Sequence, residues 1–279
     1  MATFLFWNLN GKALIQEVTQ LCDTHSVDVL IVAEIVGTRE TAIEAKRRET
    51  AIQKSLVSKT GMSYVTEHND FSKKLKFFFR YPSQSIAKVF DDNGLSIREI
   101  TPSTGQPILV AAVHLSSKLW SGSEDQTYVA RSVIKGIEES EENVSHSRTL
   151  VIGDFNMNPF EGGLIDADAF HGVMTQQIAQ EKSRKVHGLE RSYFYNPMWG
   201  RMGDISDGPP GTYYYRGSTS RQFFWNTFDQ VLLRPDLLRF FKKENLKVIT
   251  EIDNFKLIKS SKINKDDFSD HLPILIELS

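Results

Sequence analysis

Hydrophobic and polar positions along this chain fall into textures that change every few residues. Thr3–Asn8 (TFLFWN) and Asp28–Ala33 (DVLIVA) are short, nearly continuous apolar runs, the pattern of strands buried on both faces. Between them Leu14, Ile15, Val18, Leu21 and Cys22 recur at helical spacing, which predicts an amphipathic helix. Residues 40–57 are charged and helix-forming. Shorter strands are then expected near Tyr64 and at Lys76–Arg80, Ser85–Phe90 and Leu95–Thr101. Asn93-Gly94 is the turn between the last two, because both central residues of a type I′ turn need positive φ. Pro107–Leu115 reads as a core strand. Ser123 with Gln126 reads as a capping box for a helix carried on by Val129, Val133 and Ile137. Leu150–Gly153 is a further buried strand. A long irregular stretch follows, with an Asp-Gly-Pro-Pro-Gly loop at 207–211, before strand patterning resumes at Phe228–Leu233, around Leu246–Ile252 and at Pro273–Leu278. There is no internal repeat, low-complexity linker or composition break, so residues 1–279 are expected to form one α/β domain with two packed sheets.

Composition narrows the function classes. The 279 residues are 40% hydrophobic and 24% charged, as in a globular protein with a sizeable core. No apolar stretch approaches the roughly 20 residues that cross a bilayer. The opening MATFLFWNLNG lacks the basic segment of a signal peptide. Cys22 is the only cysteine, which excludes an intramolecular disulfide and favours a reducing, cytoplasmic setting. Thirty-three basic against 35 acidic residues give a net charge of −2. That argues against coating nucleic acid by bulk attraction and leaves a local basic groove open.

Candidate chemistry concentrates in two segments. LVIGDFNMN at 150–158 and SDHLPILIEL at 269–278 each join an apolar run to a tight set of Asp, Asn and His. Asp154 and Asn156, two apart on extended backbone, project to the same side. Asp and Asn at strand ends are commonly turn formers. Glu34, Asp154, Asp229 and Asp270, however, are all acids tied to apolar strands, and buried carboxylates need cations or strong donors. Oxygen ligands without clustered Cys or His suit Mg2+ or Mn2+ rather than Zn2+.

The order of these short motifs resembles the endonuclease/exonuclease/phosphatase superfamily, the fold of DNase I and exonuclease III. Asn8 in FWNLNG, Glu34 in VLIVAE, His114 in AAVHL, Asp154 and Asn156 in GDFN, Asp229 in FDQVLL, and Asp270 and His271 in SDHLPI match its positions in order, over nearly the whole chain. The resemblance implies a DNase I-like four-layer α/β sandwich, two mixed sheets flanked by helices, and a metal-dependent phosphoric ester hydrolase. Within it Glu34 binds the metal with Asn8 and Asp270 nearby. Asp154 positions or deprotonates water, and Asn156 donates to phosphate or orients Asp154. His271, held by Asp229, contacts the scissile phosphate or transfers a proton. His114 stabilises developing charge or acts as general acid. The chain departs from apurinic endonucleases at Asn10, where they carry Asp, and at His114, where they tend to carry Tyr. It departs from the inositol phosphatases at WNTFDQVLL, where they carry a WCDR-type segment.

Substrate class rests on less. Of the three basic clusters, Lys46-Arg47-Arg48, Lys73-Lys74 with Lys76 and Arg80, and Lys242-Lys243 with Lys247, the first and last read as solvated faces. In YYYRGSTSRQFFW at 213–225, Arg216 and Arg221 are interleaved with aromatics, a composition suited to phosphate contact and base stacking. The same aromatics would also suit a hairpin packed inward. Trp120 either wedges against a base or closes the core. The expectation is a nuclease acting on DNA, with nucleic acid as partner and no membrane. RNA cleavage, a phosphatase for a small metabolite or phospholipid head group, and a binding protein that retains the fold are the alternatives. The oligomeric state is not specified by the sequence.

Overall fold

Strand β1 (Ala2–Asn8) sorts its side chains by alternation: Phe4 and Phe6 face one core, Leu5 and Trp7 another, and all four are fully buried. The same sorting recurs in β2 (Val29–Ala33), where Val29, Ile31 and Ala33 oppose Leu30 and Val32. A computed structural model describes residues 2–66, 74–92, 94–103, 105–117, 122–218, 220 and 222–279. In it β1 and β2 run parallel. β2 pairs antiparallel with β3 (Leu75–Phe79), and β1 pairs antiparallel with the last strand of the chain.

The second sheet begins with the meander β4 (Ile86–Asp92), β5 (Leu95–Ile100) and β6 (Ile108–His114). It continues through β7 (Thr149–Asp154), with short strands β8 (Gly172–Val173) and β9 (Phe194–Tyr195) and the buried β10 (Asp229–Leu233). Its order is β4-β5-β6-β7-β10-β9-β8, with β6 and β7 parallel. Strands β11 (Phe241–Val248) and β12 (Ile274–Leu278) return to the first sheet and complete its order, β11-β12-β1-β2-β3. Gly153 is required in β7: at φ 154 a Cβ there would run into the backbone of Val113, its register partner on β6.

Three apolar clusters separate four layers. Phe4, Phe6, Ile31 and Phe77 of the first sheet meet Val110, Leu150, Ile152 and Val231 of the second. On the outer face of the first sheet, Trp7 and Leu30 pack against α1 (Ile15–Thr24) and α2 (Ala42–Thr60). On the outer face of the second, Leu109, Val113 and Val151 pack against Ala130, Val133 and Ile137 of α3 (Ser123–Val144). The chain is thus a DNase I-like α/β sandwich. Among the described residues no helix is long and apolar enough to cross a membrane.

Several sequence expectations shift. The strand expected near Tyr64 is a single bridge, Val65 to Phe79, and Tyr64 instead fills the helix-side core. Strand patterning around Leu246–Ile252 spans the end of β11, which starts at Phe241 and is bulged between Phe241 and Leu246, and a separate hairpin. The N-cap of α3 is Gly122, one residue before the position expected, and with no side chain it makes no full capping box. Its N–H donates to Asp125, while Gln126 turns inward. Asn93 lies outside the described residues.

Candidate active site at the sheet edges

The residues singled out from sequence converge at one end of both sheets. β1, β6 and β7 end there, in Asn8, His114 and Asp154, Glu34 directly follows β2, β10 starts there with Asp229, and Asp270-His271 lead into β12. Strand register puts His114, Asp154 and Asp229 in one row across the second sheet. The first sheet supplies Asn8, Glu34 and His271 opposite that row. Asn8 Nδ2 crosses the gap, donating to Asp154 Oδ2 at 3.1 Å and to Glu34 Oε1 at 3.3 Å.

Each group is held by more than its strand. His271 Nδ1 lies 2.9 Å from Asp229 Oδ2, and its Nε2 faces Asp154 Oδ2 at 3.9 Å. The backbone around it is pinned by Trp7, whose indole donates to the His271 carbonyl at 2.9 Å, and by Ser269 Oγ, which accepts the His271 N–H and donates to the Asn8 carbonyl. Asp154 accepts from the Asn156 backbone (2.9 Å) and side chain (3.2 Å), and Asn156 also donates to the Leu115 carbonyl. His114 Nε2 is 3.0 Å from Glu34 Oε1. Glu34 and Asn156 sit in the left-handed region at φ 47 and 52, which asparagine tolerates readily and glutamate adopts less often.

Burial sets the charges. Desolvation lowers the basicity of His271, but Asp229 and Asp154 beside it outweigh burial and raise its pKa to about 10, so the imidazole is a cation at neutral pH. Burial raises the Asp154 carboxyl, and the His271 charge opposes that rise. Burial also pushes Glu34 up, yet hydrogen bonding and charge from His114, with Asn8 and His271, bring it down to about 2.

Some site residues were not legible. Arg48, in a cluster that reads as solvated, is half-buried. Its guanidinium donates to the carbonyls of Gly11 and Ile35 and pairs with Glu40 at 2.5 Å. The Gly11 N–H in turn donates to the Glu34 carbonyl at 2.8 Å, so Arg48 fastens the turns after Asn8 and Glu34 together. The signal was its spacing: it shares the inward face of α2 with Ala45, Glu49, Ile52 and Leu56. Buried Gln126 donates to the carbonyls of Ser116 and Asn156. Asn158 ties the strand-end loop to Asn226 and to the Thr227 N–H. Of the aromatic stretch, Tyr213 stacks on Phe228 and lies 4.7 Å from the His271 ring, and Tyr214 packs edge-on to Trp225. Phe223 and Arg216 are exposed, Phe223 with its ring 5.5 Å from Phe160. Arg221 and Trp120 lie outside the described residues.

The sequence profile of the Endonuclease/Exonuclease/phosphatase family matches residues 5–271, a span that includes each of these strand ends and closes on His271. The chain belongs to this family. Its members are metal-dependent phosphoric ester hydrolases. Solved structures share the fold at low identity. The 3'-5' exonuclease NExo of Neisseria meningitidis is 16% identical, with a TM-score of 0.54 over 99% of each chain. An AP endonuclease of Archaeoglobus fulgidus is 11% identical, with a TM-score of 0.55 over 100% of each. Truncated TDP2 of Caenorhabditis elegans is 15% identical, with a TM-score of 0.55 over 98% of this chain and 95% of that one. No match was found among curated protein sequences.

The donor set of this family member fits a hard divalent cation. Asp270 Oδ1 is buried without a hydrogen-bond partner among the described residues, and Glu34 is partly open to solvent. Asp154, Asp229 and His271, all buried, bring ligand-type atoms within 4.8 Å of one another and form a second set of donors suited to a metal ion. Asn8 is turned the other way: its Oδ1 accepts the Asn10 N–H at 2.9 Å, so its amide nitrogen, which cannot ligate a metal, faces the carboxylates.

Proposed function

We propose that the protein is a divalent-metal-dependent phosphodiesterase that hydrolyses DNA. The observation that carries the hydrolytic reading is His271 held between Asp229 at 2.9 Å and Asp154 at 3.9 Å, with Glu34 joined to the same group through Asn8. Glu34 and Asp270 would hold Mg2+ or Mn2+, which when bound neutralises phosphate charge and acidifies water. Asn8 orients both Glu34 and Asp154 rather than ligating.

The chain's own groups divide the remaining work. Asp154, its oxygens aimed by Asn156, positions the attacking water and accepts its proton. His271, already protonated, donates to a nonbridging oxygen of the scissile phosphate as charge builds there, and Asp229 fixes its orientation. His114, its Nε2 3.9 Å from Asp154 Oδ2, assists the leaving oxygen. Support for DNA comes from relatives: NExo has been solved bound to a product DNA hairpin. That structure is of a 3' phosphatase, which favours a second reading, removal of a phosphomonoester from a DNA end. RNA and small phosphoesters are the further alternatives.

The test is purified protein with Mg2+ or Mn2+ against plasmid, linear and single-stranded DNA, RNA, 3'-phosphorylated oligonucleotides and a small phosphomonoester panel. Internal or terminal diester cleavage of DNA, abolished by chelator, is expected. Turnover of monoesters alone would replace the nuclease reading with a phosphatase, and full turnover in excess chelator would sink the metal.

A further inference from the structure

Residues Ile258–Lys259 and Lys262–Ile263 form a hairpin around Ser260-Ser261, beside the active site. Two features of it oppose local stability. Lys259 and Lys262 are register partners, and like charges directly opposite each other repel. Both lysines are exposed, and neither meets a carboxylate among the described residues. The turn residues Ser260 and Ser261 have φ of 52 and 58, a left-handed pair that Asn-Gly fills at less cost. The preceding hairpin behaves conventionally, with Glu251 opposite Lys256.

This cationic tip is anchored. Ile263 is buried in the helix-side core and Ile258 packs against it. The Lys12 ammonium donates to the carbonyls of Lys265 and Asp266 just beyond. Lys262 Nζ stands 5.9 Å from the centre of the Tyr214 ring, and its strand packs on Tyr213–Tyr214. Tyr213 in turn bridges His271 and stacks near its ring. Lys262 therefore stands beside the aromatic pair that reaches His271, and Lys259 is its partner across the hairpin.

We propose that Lys259 and Lys262 form a second phosphate site, which takes a nonscissile internucleotide phosphate of the chain cleaved at His271. An anion between the two ammonium groups turns their repulsion into attraction, and strain kept at such a position is compensated by the ligand. The inference rests on the nuclease reading and deepens it: the substrate is a polynucleotide of several residues, since a small phosphoester has no second phosphate to offer.

The experiment compares wild type with K259Q/K262Q and K259R/K262R on a single-stranded oligonucleotide, a dinucleotide and bis(p-nitrophenyl) phosphate, across a salt series. The Gln variant should raise KM for the oligonucleotide roughly tenfold more than for the two short substrates, and flatten the log–log salt slope by about 0.7 for one lost phosphate contact on a single strand. The Arg variant should retain affinity. The Gln variant should also melt no lower than wild type, because a repulsive pair has been removed. Equal KM and slope on the oligonucleotide would overturn the site while leaving the nuclease reading intact, as would an equal KM rise on all three substrates. A wild-type protein that cleaves no polynucleotide would overturn both.

Discussion

His271 carries the electrostatics of the site, and its protonation has a consequence in the metal-free protein. A folded pKa of about 10, above the ordinary 6.5, stabilises the fold fully below pH 6.5, and that contribution is lost as pH rises towards 10. Denaturant titrations in chelator should show wild type losing its advantage over H271Q between those limits. In the loaded enzyme, H271Q and D154N should each lower turnover by about two to four orders of magnitude. D229N/H271Q should cost little more than H271Q, because the pair acts as a unit. Additive losses in rapid-quench kinetics would refute the pairing. Arg48 gives a second residue-scale test. R48M should remain folded yet weaken Mn2+ binding, read by electron paramagnetic resonance, since the turns bearing Asn8 and Glu34 lose their common donor. Unaltered Mn2+ affinity would make Arg48 a packing residue only. Asp154, Asn156, Asp270 and His271 were legible because each is joined to an apolar run whose end must be a strand edge. Arg48 and Gln126 were not, since their partners are carbonyls that only tertiary folding delivers.

At the scale of elements, Arg234 shows how a helix is fastened to the catalytic sheet. It follows β10, is 2% exposed, and makes a two-pronged pair with Glu141 of α3 at 2.9 and 3.0 Å while lying 3.9 Å over the Phe194 ring. E141A leaves the buried Arg234 with Glu138 at 3.8 Å as its remaining carboxylate and should cost up to about 3–5 kcal/mol, measurable by urea unfolding. A change within about 0.5 kcal/mol, typical of a surface site, would show that the pair is dispensable. The buried strands were readable because β1, β2, β6 and β7 are nearly continuous apolar runs, and the three long helices because helical spacing shows in α1 and α3 and α2 is charged and helix-forming. The region from Phe155 to Phe228 was not. Its strands are two to four residues long, too short for alternation to show, and what holds them is side-chain bonding such as Asn158 to Asn226 and Asn196 to Gln230.

For the whole molecule, the prediction concerns the metal. Glu34 is partly open to solvent and Asp270 Oδ1 is buried with no hydrogen-bond partner among the described residues, so a cation that they hold only in the folded state must raise its stability by mass action. Melting temperature should rise with Mg2+ or Mn2+ by a few degrees at concentrations about a hundredfold above Kd, since roughly 2.7 kcal/mol accrues there. E34Q should blunt the rise, and an identical rise in E34Q would place the ion elsewhere. The family resemblance already implied the four-layer architecture, while the pattern of residues alone reached only two packed sheets in one α/β chain.

The Asn8 amide reaching Asp154 spans the seam between the two sheets, and the whole centre straddles it: Asn8, Glu34 and His271 belong to one sheet, His114, Asp154 and Asp229 to the other. Neither sheet owns the chemistry. A slight sliding or breathing of one layer over the other separates His271 from Asp154 long before either layer loses a backbone ladder. Heat inactivation should therefore run ahead of melting, and the temperature at which turnover fails becomes a gauge of interlayer fit rather than of secondary structure.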